Sequence, residues 1–131
     1  MKTLAVCYSK TGTTKKAADA VVKKLGCDLE LLRYDEKAHT IEAPRSPAGY
    51  DRVIILCPIW AFSLAEPMKL YLNEHKADVK KYSLVVTCGR FGLRGCVSFC
   101  KKAIGRPPEH ALKLLEKDVK RGDINISAIE G

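Results

Sequence analysis

Three short stretches of this chain place side chains that could do chemistry in similar positions. The first, Tyr8-Ser9-Lys10-Thr11-Gly12-Thr13-Thr14, follows an apolar run and leads into a helical pattern. A turn of this kind points free backbone N–H groups and the positive end of a helix at one spot, which suits an anion. Ser9, Thr11, Thr13 and Thr14 add hydroxyls, Lys10 adds a charge, and Gly12 allows close backbone approach. The stretch lacks the Gly-x4-Gly-Lys spacing of a nucleoside-triphosphate loop and the three glycines of a dinucleotide loop, so a phosphate monoester fits better. The second stretch, Cys57-Pro58-Ile59-Trp60-Ala61-Phe62-Ser63, sets two aromatics just past another apolar run, where a large ring can stack on a flat ligand. The third, Thr87-Cys88-Gly89-Arg90-Phe91-Gly92, offers close approach at its glycines and a further aromatic.

A rival chemistry overlaps the third stretch. Cys88-x5-Arg94 has the spacing of a cysteine-phosphatase loop, with a thiolate nucleophile and an arginine clamping the phosphoryl group. Gly95 stands where a Ser or Thr usually follows that arginine, and no Asp is placed as a general acid. His39, His75 and His110 have no partner spacing for metal or triad chemistry, and Cys96-x3-Cys100 has no matching pair.

Those loops need a scaffold. The chain has 131 residues, 47% apolar and 29% charged, the composition of one ordinary globular domain spanning residues 1–131. Thr3–Tyr8, Leu29–Leu32, Arg52–Cys57, Tyr82–Thr87 and Ala111–Leu115 read as five strands, the last at an edge. The near-continuous apolar runs among them suggest burial on both faces, as in a parallel sheet. Thr14–Leu25 has helical spacing and ends at Gly26; a second helix starts near Pro67, and a third is expected over Val97–Ile104. Tyr34–Gly49 reads as a long irregular crossover, and Asp118–Gly131 as polar and weakly patterned. Strands alternating with helices predict a doubly wound α/β sandwich, with ligands outside the carboxyl ends of the strands.

No apolar run approaches the ~20 residues of a membrane helix, and the N-terminus lacks the length and cleavage site of a signal peptide. Cys7 and Cys57 lie inside apolar runs, so reduced thiols and a cytoplasmic location are expected. The net charge of +8 is spread along the chain without a nucleic-acid module, which reads as a solvated basic surface.

In their order, these motifs resemble the flavodoxin family. Tyr8-Ser9-Lys10-Thr11-Gly12-Thr13-Thr14 is similar to its Ser/Thr-x-Thr-Gly-x-Thr phosphate turn. Tyr50–Trp60 is similar to its third-strand run ending in Pro-x-Trp, and Thr87-Cys88-Gly89 to the start of its third flavin loop. The resemblance covers residues 2–90 well and 91–120 loosely. It implies a flavodoxin-like three-layer sandwich with a five-stranded parallel sheet in the order 2-1-3-4-5. It also implies non-covalent flavin mononucleotide (FMN), and electron transfer or a small-reductase role with a redox partner protein or small-molecule acceptor. On this resemblance Ser9, Lys10, Thr11, Gly12, Thr13 and Thr14 would hold the phosphate. Pro58, Ile59, Trp60, Ala61 and Phe62 would flank the ring with Trp60 stacked on it, while Thr87, Cys88, Gly89 and Phe91 would line its other edge.

The chain departs from that pattern in four places. Many flavodoxins have Trp-Gly-Asp where this chain has Trp60-Ala61-Phe62, and Ala61 makes a positive φ costlier. Electron-carrier flavodoxins are usually acidic, whereas this chain is basic and should not suit the same basic partner surfaces. The second helix is expected to be replaced by a loop. The final helix is expected to be short or missing, which would leave a sheet face to be covered by a second copy or another chain. A module of this fold that has lost flavin and binds only a partner protein is the alternative.

Overall fold

A computed structural model describes residues 2–129. In chain order its elements are β1 (Thr3–Cys7), α1 (Thr13–Leu25), β2 (Asp28–Leu31), β3 (Arg33–Asp35), β4 (Thr40–Glu42), β5 (Arg52–Trp60) and β6 (Ser63–Leu64). They continue with α2 (Glu66–His75), β7 (Lys81–Cys88), α3 (Leu93–Ile104), β8 (Ala111–Leu115) and α4 (Glu116–Lys120). Single 3-10 turns occupy Pro47–Gly49, Lys76–Asp78 and Ser127–Ile129.

Five parallel strands lie in the order β2-β1-β5-β7-β8. The apolar runs explain why the middle three are central. Side chains alternate across a strand, so a run with no polar residue needs cover on both faces. Leu4, Val6, Val53, Ile55, Leu84 and Val86 face the layer of α2 and α3. Ala5, Cys7, Ile54, Leu56 and Val85 face α1. Ala17 and Ala18 let α1 lie close to the sheet, and Gly26, at φ 63°, ends it by donating its N–H to the Val22 carbonyl. No described helix is long and apolar enough to cross a membrane.

The structure corrects four boundaries. The crossover after β2 is not irregular throughout: β3 and β4 form an antiparallel hairpin with Tyr34 opposite Ile41. Asp35 closes its turn by accepting the N–H groups of Lys37 and Ala38. Tyr34 and Ile41 pack onto the cluster beneath α2, the layer where a second helix would otherwise lie. The third parallel strand runs past Cys57 to Trp60 and folds back through β6. The third helix begins at Leu93, not Val97, because Gly92 at φ 122° turns the chain into it. Finally, the tail is patterned by burial: α4 is short, and Val119, Ile126 and Ile129 pack with α1 on the sheet. The face expected to stand open is thus filled from within the chain. Glu130 and Gly131, part of the expected weakly patterned tail, lie outside the described residues, as does Met1.

A buried arginine anchors this tail. Arg52 is 5% exposed and donates from Nη1 to the Ile129 carbonyl at 3.1 Å. A hydrogen bond from a charged group contributes about 1.5–3 kcal/mol. Arg52→Ala is therefore expected to lower unfolding stability by about that amount, and to remove amide-exchange protection at Ile129 while β1 keeps its own. Unchanged protection at Ile129 would contradict the anchor.

Candidate functional site

The carboxyl ends of β1, β5 and β7 meet along one edge of the sheet, and the three loops of interest leave from there. In the first, Gly12 adopts φ 94° and its N–H donates to Ser9 Oγ at 3.0 Å. No described side chain caps α1. Its first-turn N–H groups, at Thr13 to Lys15, are thus left for an external acceptor at the positive end of the helix. Thr11 and Thr13 bring their hydroxyls within 3.4 Å of each other beside that end. Lys10 lies between two groups: its Nζ is 3.6 Å from Glu36 Oε1 and 5.6 Å from the centre of the Trp60 ring.

Thr14 behaves differently from the other threonines. It is buried, and its hydroxyl meets that of Thr87 at 2.7 Å. This bond ties the first loop to the end of β7. Both hydroxyls thus serve the scaffold, and only the Thr14 backbone amide belongs to the anion cradle.

In the second loop, Ile59 pairs with Leu64 and Trp60 with Ser63, leaving Ala61 and Phe62 as a two-residue turn at φ 51° and 63°. Two positive φ values define the turn that matches strand twist, and it normally takes Asn or Gly. With Cβ atoms at both positions the strain is roughly 1–2 kcal/mol per residue. Ala61 accepts the conformation that the sequence comparison marks as costly. Packing against α3 holds it. A Cβ on Gly95 would lie 1.9 Å from the Phe62 carbonyl oxygen, and one on Gly92 would lie 2.5 Å from Ile59 Cγ2. Both positions therefore require glycine, and the hairpin sits directly against the first turn of α3.

Trp60 is aimed from its other side. The Tyr8 ring meets it edge-on, with centroids 5.6 Å apart and planes at 87°. Tyr34 meets Tyr8 in the same manner at 6.1 Å. The Tyr34 hydroxyl donates to Glu66 Oε2 at 2.5 Å, at the start of α2, and His39 Nδ1 lies 3.4 Å from Glu66 Oε1. The Tyr34 bond holds the Glu66 carboxyl below its ordinary range, while the carboxylate pushes the phenol up to about 12.

The third loop divides between buried and exposed residues. Thr87 and Cys88 are buried; Gly89, Arg90 and Phe91 are exposed, with the Arg90 guanidinium 5.2 Å over the Phe91 ring. Burial pushes the Cys88 thiol up. A nucleophilic cysteine needs the reverse shift. Arg94 is exposed and lies within α3 rather than in a loop around Cys88. The raised thiol therefore runs against the phosphatase reading.

A cleft of about 680 Å³ lies elsewhere, between β2 and the chain at Pro44 and Arg45. Glu30 on its wall already accepts the Arg45 N–H, and no residue of the three loops lines it. Its size does not make it the site. Sequence reasoning missed Tyr34, Glu66 and the close contact at Gly95. The repeat Gly89-x2-Gly92-x2-Gly95 was the one available signal.

No family model matches the chain, and no curated protein matches it. Solved structures do. A flavoprotein from Lactobacillus acidophilus NCFM, solved in complex with FMN, superposes with a TM-score of 0.76 at 20% identity, covering 92% of this chain and 97% of its own. A flavodoxin from the domain Archaea gives 0.62 at 17% identity, covering 97% and 96%. The general stress protein 14 of Treponema denticola, also in complex with FMN, gives 0.63 at 17% identity and covers 94% of each chain. The fold is flavodoxin-like.

Two substitutions test the strained turn, with the single tryptophan, Trp60, as the probe. Ala61→Gly is expected to raise unfolding stability by about 1 kcal/mol by relieving the left-handed backbone. Gly95→Ala is expected to lower it by about 1–3 kcal/mol and to change Trp60 emission in the folded state, since backbone must shift. Equal stability of Gly95→Ala and the parent would mean that the hairpin is not held this way.

Proposed function

We propose that the protein binds FMN non-covalently and acts in electron transfer or as a small flavin reductase. One observation carries the reading: an uncapped helix start lined with hydroxyls and a tryptophan held perpendicular to Tyr8 lie along the same edge of a flavodoxin-like sheet. The residues present fit the group. The amides at Thr13 to Lys15, with Ser9, Thr11 and Thr13, would hold a phosphate monoester. Tyr8 stands perpendicular to the half-buried Trp60 ring, and the exposed Lys10 side chain lies over a face of that ring, its ammonium 5.6 Å from the centre. That face would take a flat ring, with Phe91 and Gly89 from the third loop on its flank. Bound flavin would supply the redox chemistry, and the protein binding, orientation and electrostatics. The flavoproteins of similar fold that hold FMN support the same reading.

Titration with FMN and with riboflavin tests it directly, followed by flavin fluorescence. FMN is expected to be quenched and bound at least tenfold more tightly than riboflavin, a difference of about 1.4 kcal/mol or more assigned to the phosphate. Trp60→Ala is expected to weaken both ligands, and Thr13→Ala to weaken FMN alone. Absence of quenching at micromolar protein would overturn the flavin reading.

A further inference from the structure

The rim of this site has an unusual make-up. The loops Tyr8–Thr14, Trp60–Leu64 and Cys88–Arg94 carry Lys10, Arg90 and Arg94 and contain no Asp or Glu. Phe62 is 72% exposed and Phe91 66%; apart from Leu31 on β2, they are the exposed large apolar side chains among the described residues. The two aromatics stand on loops that touch, since a Cβ on Gly92 would lie 3.4 Å from Phe62 Cα. Arg90 covers part of the Phe91 ring, and Lys113 Nζ reaches the Arg90 carbonyl at 3.3 Å, bringing another cation to the same side. Glu36, paired with Lys10, and Glu116, which acts electrostatically on Cys88, border the rim, and Glu66, just past the second loop, is taken up by Tyr34 and His39.

We propose that this rim docks an acidic protein. Phe62 and Phe91 form the apolar centre, and Arg90, Arg94 and Lys113 meet carboxylates around it. Aromatic side chains and arginine are the types that concentrate binding energy at protein interfaces. Exposed tips bury little of a small ligand, whereas a protein surface covers both at once. Arg90 and Arg94, with no acid on their own loop, and Lys113 beside them on β8 attract a negative surface and repel a positive one. The docking goes beyond the flavin reading and does not require it.

The test uses isotope-labelled protein, with and without FMN, titrated with an oxidised plant-type [2Fe–2S] ferredoxin as the acidic probe and with cytochrome c as the basic one. Ferredoxin is expected to shift the amides of residues 60–63 and 89–95. The binding should fade as salt rises from about 0.01 to 0.15 M, where screening shortens from ~30 to ~8 Å. The Arg94→Glu/Lys113→Glu double variant is expected to lose at least tenfold in ferredoxin affinity and to keep its FMN titration unchanged. No shifts with ferredoxin, shifts confined to other faces, or equal binding of cytochrome c would each overturn the proposal. Failure of the flavin reading would show separately, as absent FMN quenching, with the docking signal still readable on the flavin-free protein.

Discussion

The contact between Gly95 and the Phe62 carbonyl supports much of the site. The turn at Ala61 and Phe62 is strained, and such strain persists only when surrounding structure over-determines it. Here the first turn of α3 presses against the hairpin where Gly92 and Gly95 lack side chains. That contact fixes the end of β5, and with it Trp60. On the opposite side, a chain of edge-to-face rings runs from Trp60 through Tyr8 to Tyr34 and ends in a hydrogen bond at Glu66. The tryptophan is thus positioned through residues that two helices hold.

The parts legible in the sequence share a physical cause. The strands beginning at Thr3, Arg52 and Lys81 are buried on both faces, so their apolar runs are long and unbroken. The helix over Thr13–Leu25 shows its 3.6-residue period because one face meets the sheet. The β3–β4 hairpin stayed hidden because each strand has three residues and turns one apolar side chain inward, Tyr34 or Ile41. Such a pattern is too short to register as a period. The tail stayed hidden for another reason. Val119, Ile126 and Ile129 follow no regular spacing, and the last of them is anchored through its carbonyl by Arg52, far away in sequence.

For the site, residue types identified the loops but not the task of every residue in them. Ser9, Thr11, Thr13 and Thr14 look alike as hydroxyls before a helix. Only the fold separates Thr14, which faces Thr87, from the three that border the helix start. Gly95 is similar. Within a helical run it reads as a weak position, and its necessity comes from a backbone oxygen more than thirty residues earlier in the chain.

The hydrogen bond between Thr14 and Thr87 also has a kinetic meaning. It joins residues 73 positions apart and is buried. The start of α1 and the end of β7, which bound the first and third loops, are therefore joined before any ligand arrives, and the ordering that joins them belongs to folding rather than to association. A ligand entering such a site does not wait for those two elements to meet. Variation in affinity among related ligands should then appear chiefly in how long each stays, not in how quickly it enters.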